Sequence, residues 1–273
     1  MTSSPIPQWA GVLLLAAFLL SMLAFAHALR RRAAITPETS RKTMHVALGA
    51  AALAFPVLFR TTWPALLVCA LTIGVLLLLR SGALGPRARS VVHGIGRHSE
   101  GDLYFPISAG ALFILASGDR MLYLIPLLTL TLADTAASYV GRRYGVTRFA
   151  SSDQCGEKSI EGSGAFLCVA LLCAFVPLVL ATGVPATRAL SIAAPFAVVM
   201  TLLEAAAWRG LDNVFIPIGG LLLLERLMVM SERPLTTTFA IATAMVAVAI
   251  SLPPRRTTQR GVLTLLRARR AAS

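Results

Sequence analysis

Charge is scarce in this 273-residue chain. Asp, Glu, Lys and Arg together make up 14%, against roughly a quarter in an ordinary soluble domain. Acidic residues are the scarcer sign, 12 against 25 Lys and Arg, which leaves a formal charge of +13. So little charge excludes intrinsic disorder and a water-soluble globule of normal composition. Cysteine is sparse too, with four residues. Cys69, Cys168 and Cys173 lie in apolar runs and Cys155 in a polar link, with no C-x-x-C or Cys/His set. That spacing predicts neither disulfide nor zinc and leaves apolar filler as their role. The excess of positive charge has no basic domain or aromatic-interleaved patch to serve, so nucleic acid is not the expected partner. Residues 1–8 lack Lys and Arg. A cleavable signal peptide would start positive, so the first apolar run is read as a retained span.

Long apolar runs are what the chain does have. Hydrophobic residues make up 56% and the mean hydropathy is +0.76. A membrane span needs about 20 mostly apolar residues. Nine runs qualify, near residues 9–29, 43–59, 62–79, 103–117, 121–140, 164–182, 189–207, 214–230 and 236–252. The reading is an all-α polytopic membrane bundle: one transmembrane domain over 1–252 and a basic cytoplasmic tail over 253–273. Alternate links and the tail carry 20 of the 25 Lys and Arg, and the other links carry Arg60, Arg120, Arg188, Arg226 and Arg233. The positive-inside rule then puts the N-terminus outside and the C-terminus in the cytoplasm. Within the tail, Arg260–Arg270 mixes arginines with Val262, Leu263, Leu265 and Leu266. It reads equally as an interfacial helix on an anionic leaflet or as a frayed topological anchor. The Ala-, Leu- and Arg-rich composition points to a GC-rich bacterial source, and so to the plasma membrane.

On that topology the unusual polar residues fall at the cytoplasmic links and adjoining span ends. Arg41, Lys42, His45 and Gly49 open the second span, with Arg41 and His45 one turn apart. They suit an anion at the interface, although cations flank most cytoplasmic span ends. Glu100 and Asp102 stand beside Tyr104 and Pro106. Two carboxylates there suit Mg²⁺ or a general base, or simply a solvated turn. His93 and His98 lack a metal-ligand pattern and are read as loop residues. Asp134 sits inside an apolar run. A carboxylate there costs about 2.5–3.5 kcal/mol on insertion scales, so it needs a partner or a task. Asp134, Ser138 and Gly141 share one helical face. Gly141 and Gly145 bracket two arginines, and Gly156 and Gly162 bracket Glu157, Lys158, Ser159 and Glu161. Glycines let backbone N–H groups approach phosphate oxygens, and Lys or Arg neutralises them. The spacing matches neither a P-loop nor a dinucleotide fingerprint. Asp212 and Asn213 open the eighth span ahead of Pro217 and Gly219. They are a helix cap or an oxygen ligand set for Mg²⁺, with a loosened helix beyond. Glu204 is placed to join the same cluster. Together these groups suit a polyphosphate, Mg²⁺ and a lipid acceptor at a membrane boundary.

Five of these motifs, in order, resemble the dolichol kinase/phytol kinase family of CTP-dependent lipid kinases. They are Arg41, Lys42, His45 and Gly49; Gly101 to Pro106; Asp134, Ala137 and Gly141; Lys158 to Ser163; and Asp212 to Pro217. The resemblance covers residues 40–220. It implies an integral membrane enzyme that moves the γ-phosphoryl group of CTP, with Mg²⁺, to the hydroxyl of an isoprenoid alcohol or related lipid. By that analogy Lys158 is assigned to the phosphates. Asp134, Asp212, Asn213 and Glu161 are assigned to the metal. Arg41, Lys42, Ser138, Gly141, Gly145, Gly156, Ser159, Glu161 and Gly162 surround the nucleotide. Asp102, Glu100 and His45 are candidates for a general base. Asp102 stands where the family more often carries Glu. The family is also similar to phosphatidate cytidylyltransferases, which attack the α-phosphorus of CTP. Their C-terminal signature has paired acidic residues, and no second Asp follows Asp212 here, so kinase ranks first. A transporter would spread ionisable residues along the midplane, often with repeat symmetry. A noncatalytic scaffold is the remaining alternative.

Overall fold

The computed structural model describes residues 7–32, 35–81, 100–150 and 157–251. Its helices are α1 (Gln8–Arg31), α2 (Pro37–Leu53), the short α3 (Phe55–Leu58), α4 (Thr62–Ser81), α5 (Gly101–Leu115), α6 (Arg120–Leu128), α7 (Asp134–Tyr144), α8 (Ile160–Thr182), α9 (Ala186–Ala206), the single turn α10 (Asp212–Val214), α11 (Gly220–Val229) and α12 (Glu232–Ser251). A π-helical turn over Thr129–Ala133 joins α6 to α7, and another over Phe215–Gly219 joins α10 to α11. A two-stranded antiparallel ribbon, β1 (Arg148–Ala150) and β2 (Glu157–Ser159), precedes α8 and pairs Phe149 with Lys158. His93, His98, Cys155, Gly156 and the basic tail lie outside the described residues.

Every apolar run in the sequence falls on helix. Five helices are long and apolar enough to cross a membrane: Gln8–Arg30, Thr62–Ser81, Arg120–Tyr144, Ile160–Thr182 and Ala186–Ala206. Gly101–Leu115 is a shorter apolar helix. Boundaries differ from expectation mainly in the second run. There α2 starts at Pro37, ahead of the expected Thr43, because Thr36 caps it by accepting a hydrogen bond from Thr39 N at 3.2 Å and Pro37 presets the first turn. The run then breaks at Ala54, ahead of Pro56. Asp119 caps α6 through the N–H groups of Met121 and Leu122. Gly183, at positive φ, caps α8, and Ser117 and Gly118, also at positive φ, turn the chain beyond the end of α5.

One apolar core runs from Val12 in α1 to Leu235 in α12. Helix α9 lies against α8 along much of its length and against α12, while α1 packs on α2 and α4, and α4 on α5. Outward positions carry large apolar side chains such as Leu13, Leu71, Leu180 and Val229. A bilayer tolerates that exposure and water does not.

A proline lies in or just before each π turn. Pro126 lies inside α6 and Pro217 inside the second turn. Each removes one ladder donor and crowds the carbonyl four residues back. The turn at 129–133 ends where Asp134 begins, and the turn at 215–219 begins just past Asn213. The two turns touch each other. Such turns free carbonyls for side chains and are frequent at functional sites. Helix α2 closes on the first of them at Gly49, where a Cβ would meet Thr131 Oγ1 at 2.2 Å. Only glycine lets the helix sit that close. Tyr123 fixes the same interface farther along by donating to Ala52 O at 2.8 Å.

Gly49→Ala is expected to lower stability by about 1–3 kcal/mol through overpacking. Gly74→Ala, where a Cβ meets nothing within 4 Å, serves as the control. Thermal melting of both variants in one detergent checks this, with the midpoint falling for Gly49→Ala only.

Candidate functional site at one end of the bundle

The polar motifs meet at one end of the helix bundle, contributed by the starts of α2, α5, α8 and α10, the ends of α4 and α9, and α7. Their centre is a buried ion pair. Lys42 Nζ lies 2.6 Å from Asp134 Oδ2, and both side chains are under 10% exposed. Lys42 also donates to Asp134 O. His45 Nε2 stands 3.3 Å from the same carboxylate oxygen and 3.0 Å from Leu130 O, a carbonyl of the π turn. The Phe105 ring holds the imidazole edge to face, 4.9 Å between centroids. Lys42 and His45 lie one turn apart on α2, so one helix face presents both to Asp134.

A second pair, of a half-buried lysine and a buried glutamate, lies beside the first. Lys158, on β2, reaches the end of α9, where its Nζ is 2.7 Å from Glu204 Oε1 and bonds to Glu204 O as well. A cation at a helix C-terminus also meets the negative end of its dipole. Glu204 is buried and within electrostatic reach of both Asp134 and Asp212, which joins the two pairs into one charged cluster.

Asp212 Oδ1 accepts from Asn213 N at 3.0 Å and Asn213 Nδ2 at 3.1 Å. Asn213 Nδ2 also donates to Gly210 O, and Ser108 Oγ donates to Asn213 O. These contacts leave Asn213 Oδ1 buried without a partner. Both neighbours of Nδ2 are acceptors, so flipping the amide would make the contacts worse. Glu100 and Asp102 do not act as a carboxylate pair. Tyr104 donates to Glu100 at 2.7 Å, whereas Asp102 Oδ1 is bound by Arg80 of α4 and its Oδ2 is buried without a partner. Arg41 pairs with Glu38 at 2.6 Å, and Arg142 of α7 approaches the same carboxylate at 3.6 Å.

Four residues assigned to the nucleotide converge on one spot between α7 and α8. Ser159 caps α8, accepting from Gly162 N at 3.0 Å. A Cβ on Gly141 or Gly145 would come within 3.0 Å of Ser159 Oγ, and one on Gly162 within 2.9 Å of Ala137 O. The glycine faces are therefore filled by neighbouring protein, which holds the two helices in close contact. Ser138 is half-buried on the same helix face as Asp134. Glu161 accepts from Thr147 N at 3.1 Å and ties the ribbon to α8. The partners of Asp102 and Arg41, namely Arg80 and Glu38, were not picked out by motif reading. Arg80 lies 22 residues before Asp102, so no local spacing links the two. The first π turn did have a signal, Pro126 within an apolar run.

A cavity of about 220 Å³ opens from this cluster between α1, α2, α4 and α5. Arg41, His45, Asp102 and Asn213 line one part of it, and Leu, Val, Met, Phe and Ala side chains line most of the rest. Among the described residues no three His, Cys, Asp or Glu side chains form a ready metal cage. A Mg²⁺ ion that arrives with a nucleotide needs less: one or two carboxylates, phosphate oxygens and water. Asp212 fits that demand, while Asn213 Oδ1 is left for a hydrogen-bond donor. Asp134 fits it less well, because Lys42 and His45 already share its carboxylate.

A phytol kinase of Synechocystis sp. is 27% identical to this chain over 220 residues, which span 80% of the chain and 91% of that protein. The resemblance to the phytol kinase family is thereby borne out. No family model matches the chain and no solved structure matches it.

Breaking the central pair should be far costlier than removing it. Lys42→Met or Asp134→Asn alone leaves a buried group unpaired, which costs about 3–5 kcal/mol. The double variant is expected to recover much of that loss. A double-mutant cycle by thermal melting in detergent measures the coupling, and additive losses would mean the two groups are independent.

Proposed function

We propose that this protein is a CTP-dependent lipid kinase. It would move the γ-phosphoryl group of CTP to the hydroxyl of an isoprenoid alcohol or related lipid, at the cytoplasmic face of the membrane. The observation that carries this reading is an apolar cavity inside a membrane-type bundle, one part of which is lined by Arg41, His45, Asp102 and Asn213, with His45 in contact with the Lys42–Asp134 pair. Its relative's name adds the same class of reaction and acceptor. A soluble anion site would have no need of the apolar half, and a lipid site alone would have no need of two lysines held inside the bundle.

In this reaction the acceptor oxygen forms a bond to the γ-phosphorus. The bond from that phosphorus to the bridging β–γ oxygen breaks, and CDP departs with its electron pair. The hydroxyl proton passes to a carboxylate, for which Asp102 is the candidate. Little covalent chemistry falls to the protein, so positioning and charge neutralisation dominate. Lys158 is assigned to the phosphates, where they would compete with Glu204 for its ammonium. Lys42 is held for the same purpose by Asp134. Asp212 is the residue that would hold Mg²⁺, which would supply further neutralisation of the phosphates. Because both lysines are paired with carboxylates, neither stands as a bare charge in the apolar bundle.

The test is transfer of label from γ-³²P-CTP into the organic phase by purified protein with Mg²⁺ and a panel of phytol, a polyprenol and diacylglycerol. Label in one lipid, with CDP formed in equal amount, is the expected result. Lys158→Ala should lower kcat by about a hundredfold or more, with the melting temperature followed as a folding control. Pyrophosphate release with phosphatidate, and no lipid label, would instead make the protein a cytidylyltransferase.

A further inference from the structure

The apolar cavity has a wall that the motif block does not supply. Helix α1 lies before residue 40, yet Ala16, Leu19, Leu20 and Leu23 line the cavity opposite Val68, Leu71, Val75 and Leu79 of α4. The α4 lining from Val68 to Leu79 spans about 16 Å at 1.5 Å per residue. At one end stand Asp102 and Asn213, each with one buried oxygen that has no hydrogen-bond partner. Two buried acceptors without a donor, at the end of an apolar slot, are costly unless a ligand brings an O–H or N–H to them. A long-chain alcohol has that chemistry: one hydroxyl donor at the end of a hydrocarbon. A free phosphate or a nucleotide brings acceptor oxygens instead, which cannot satisfy two further acceptors. At about 220 Å³ the cavity is smaller than a typical drug-sized pocket, so it holds the head-proximal segment of the chain. Leu20 and Leu71 are half exposed on the outer surface, so the slot borders the lipid-facing side, where the rest of the tail has a way into the bilayer.

We infer that this slot is the acceptor site, that α1 and α4 grip the first part of the isoprenoid chain, and that Asp102 and Asn213 receive its hydroxyl. This rests on the kinase reading for the reaction, but the binding site stands on the cavity itself. Acceptor preference is then set by α1 and α4 side chains, away from the phosphate-binding residues. Leu23 and Val75 are half-buried and line the slot from its two sides.

Two measurements test it on the full chain in lipid nanodiscs. First, a phytol analogue with a photoreactive diazirine near its hydroxyl is irradiated with the protein. The label is expected on α1 and α4 peptides and is expected to fall when unlabelled phytol is added. Label confined to α8, α9 or α12 would overturn the site, as would equal competition by phosphatidylcholine, which would make the slot a bilayer-lipid site. Second, Leu23→Trp and Val75→Trp should raise KM for the alcohol about tenfold or more by filling the slot, with KM for CTP unchanged. Leu180→Trp, on the outer face of α8, should change neither. Wild-type transfer with unchanged KM in both slot variants would overturn the slot and leave the kinase standing. Absence of transfer to any alcohol, with labelling of α1 and α4 intact, would overturn the kinase and leave the slot standing.

Discussion

The ion pair between Lys42 and Asp134 is the constraint on which the rest of this end of the molecule depends. A carboxylate in the apolar run 121–140 cannot be left charged and alone in a bilayer protein. Lys42 answers it across the bundle, and that requires α2 to lie against α7 at close range. The close range in turn requires Gly49 opposite Thr131, since any side chain there would hold the helices apart. It also requires a carbonyl to complete the His45 shell, and the π turn supplies Leu130 O. Pro126, the turn, the glycine and the charge pair are thus one arrangement in which each feature makes room for the next.

The neighbouring Lys158–Glu204 pair is built differently. Its lysine comes from a short ribbon and its acid from the last turn of a long helix. A ribbon side chain is easier to redirect than one on a packed helix. In the proposed reaction both lysines serve the phosphates, and the Lys42–Asp134 pair also keeps α2 and α7 in register.

Much of this was legible in the sequence because a bilayer makes two demands that are local. Spans must be apolar, so the runs marked the helices to within a few residues. Charges within spans must have a reason, so Asp134 stood out as soon as the run containing it was recognised. Partners were less legible. Lys42 was read as a candidate for a phosphate and meets a carboxylate 92 positions away. Glu100 and Asp102 looked like a pair because they are two apart, yet a helix turns such neighbours away from each other, and Tyr104 and Arg80 take them separately. Gly141, Gly145 and Gly162 carried the composition of a phosphate cradle. The same smallness serves helix contact, and only packing distinguishes the two uses. The early start of α2 was hidden because its polar first turn did not count towards an apolar span.

The slot beside α1 illustrates why a motif-based reading stops short of specificity. Chemistry at the phosphates demands particular residue types at particular spacings, and that leaves a mark in sequence. Gripping a hydrocarbon demands only apolar surface of the right shape. Leu19 and Leu23 in α1 are indistinguishable by composition from Leu13 and Leu14, which face outward. What separates them is the arrangement of α2 and α4 around them, together with two unpartnered oxygens at one end of the space. On the proposed reading, the acceptor can therefore change with the packing of α1 and α4, while the charged cluster assigned to the phosphates stays as it is.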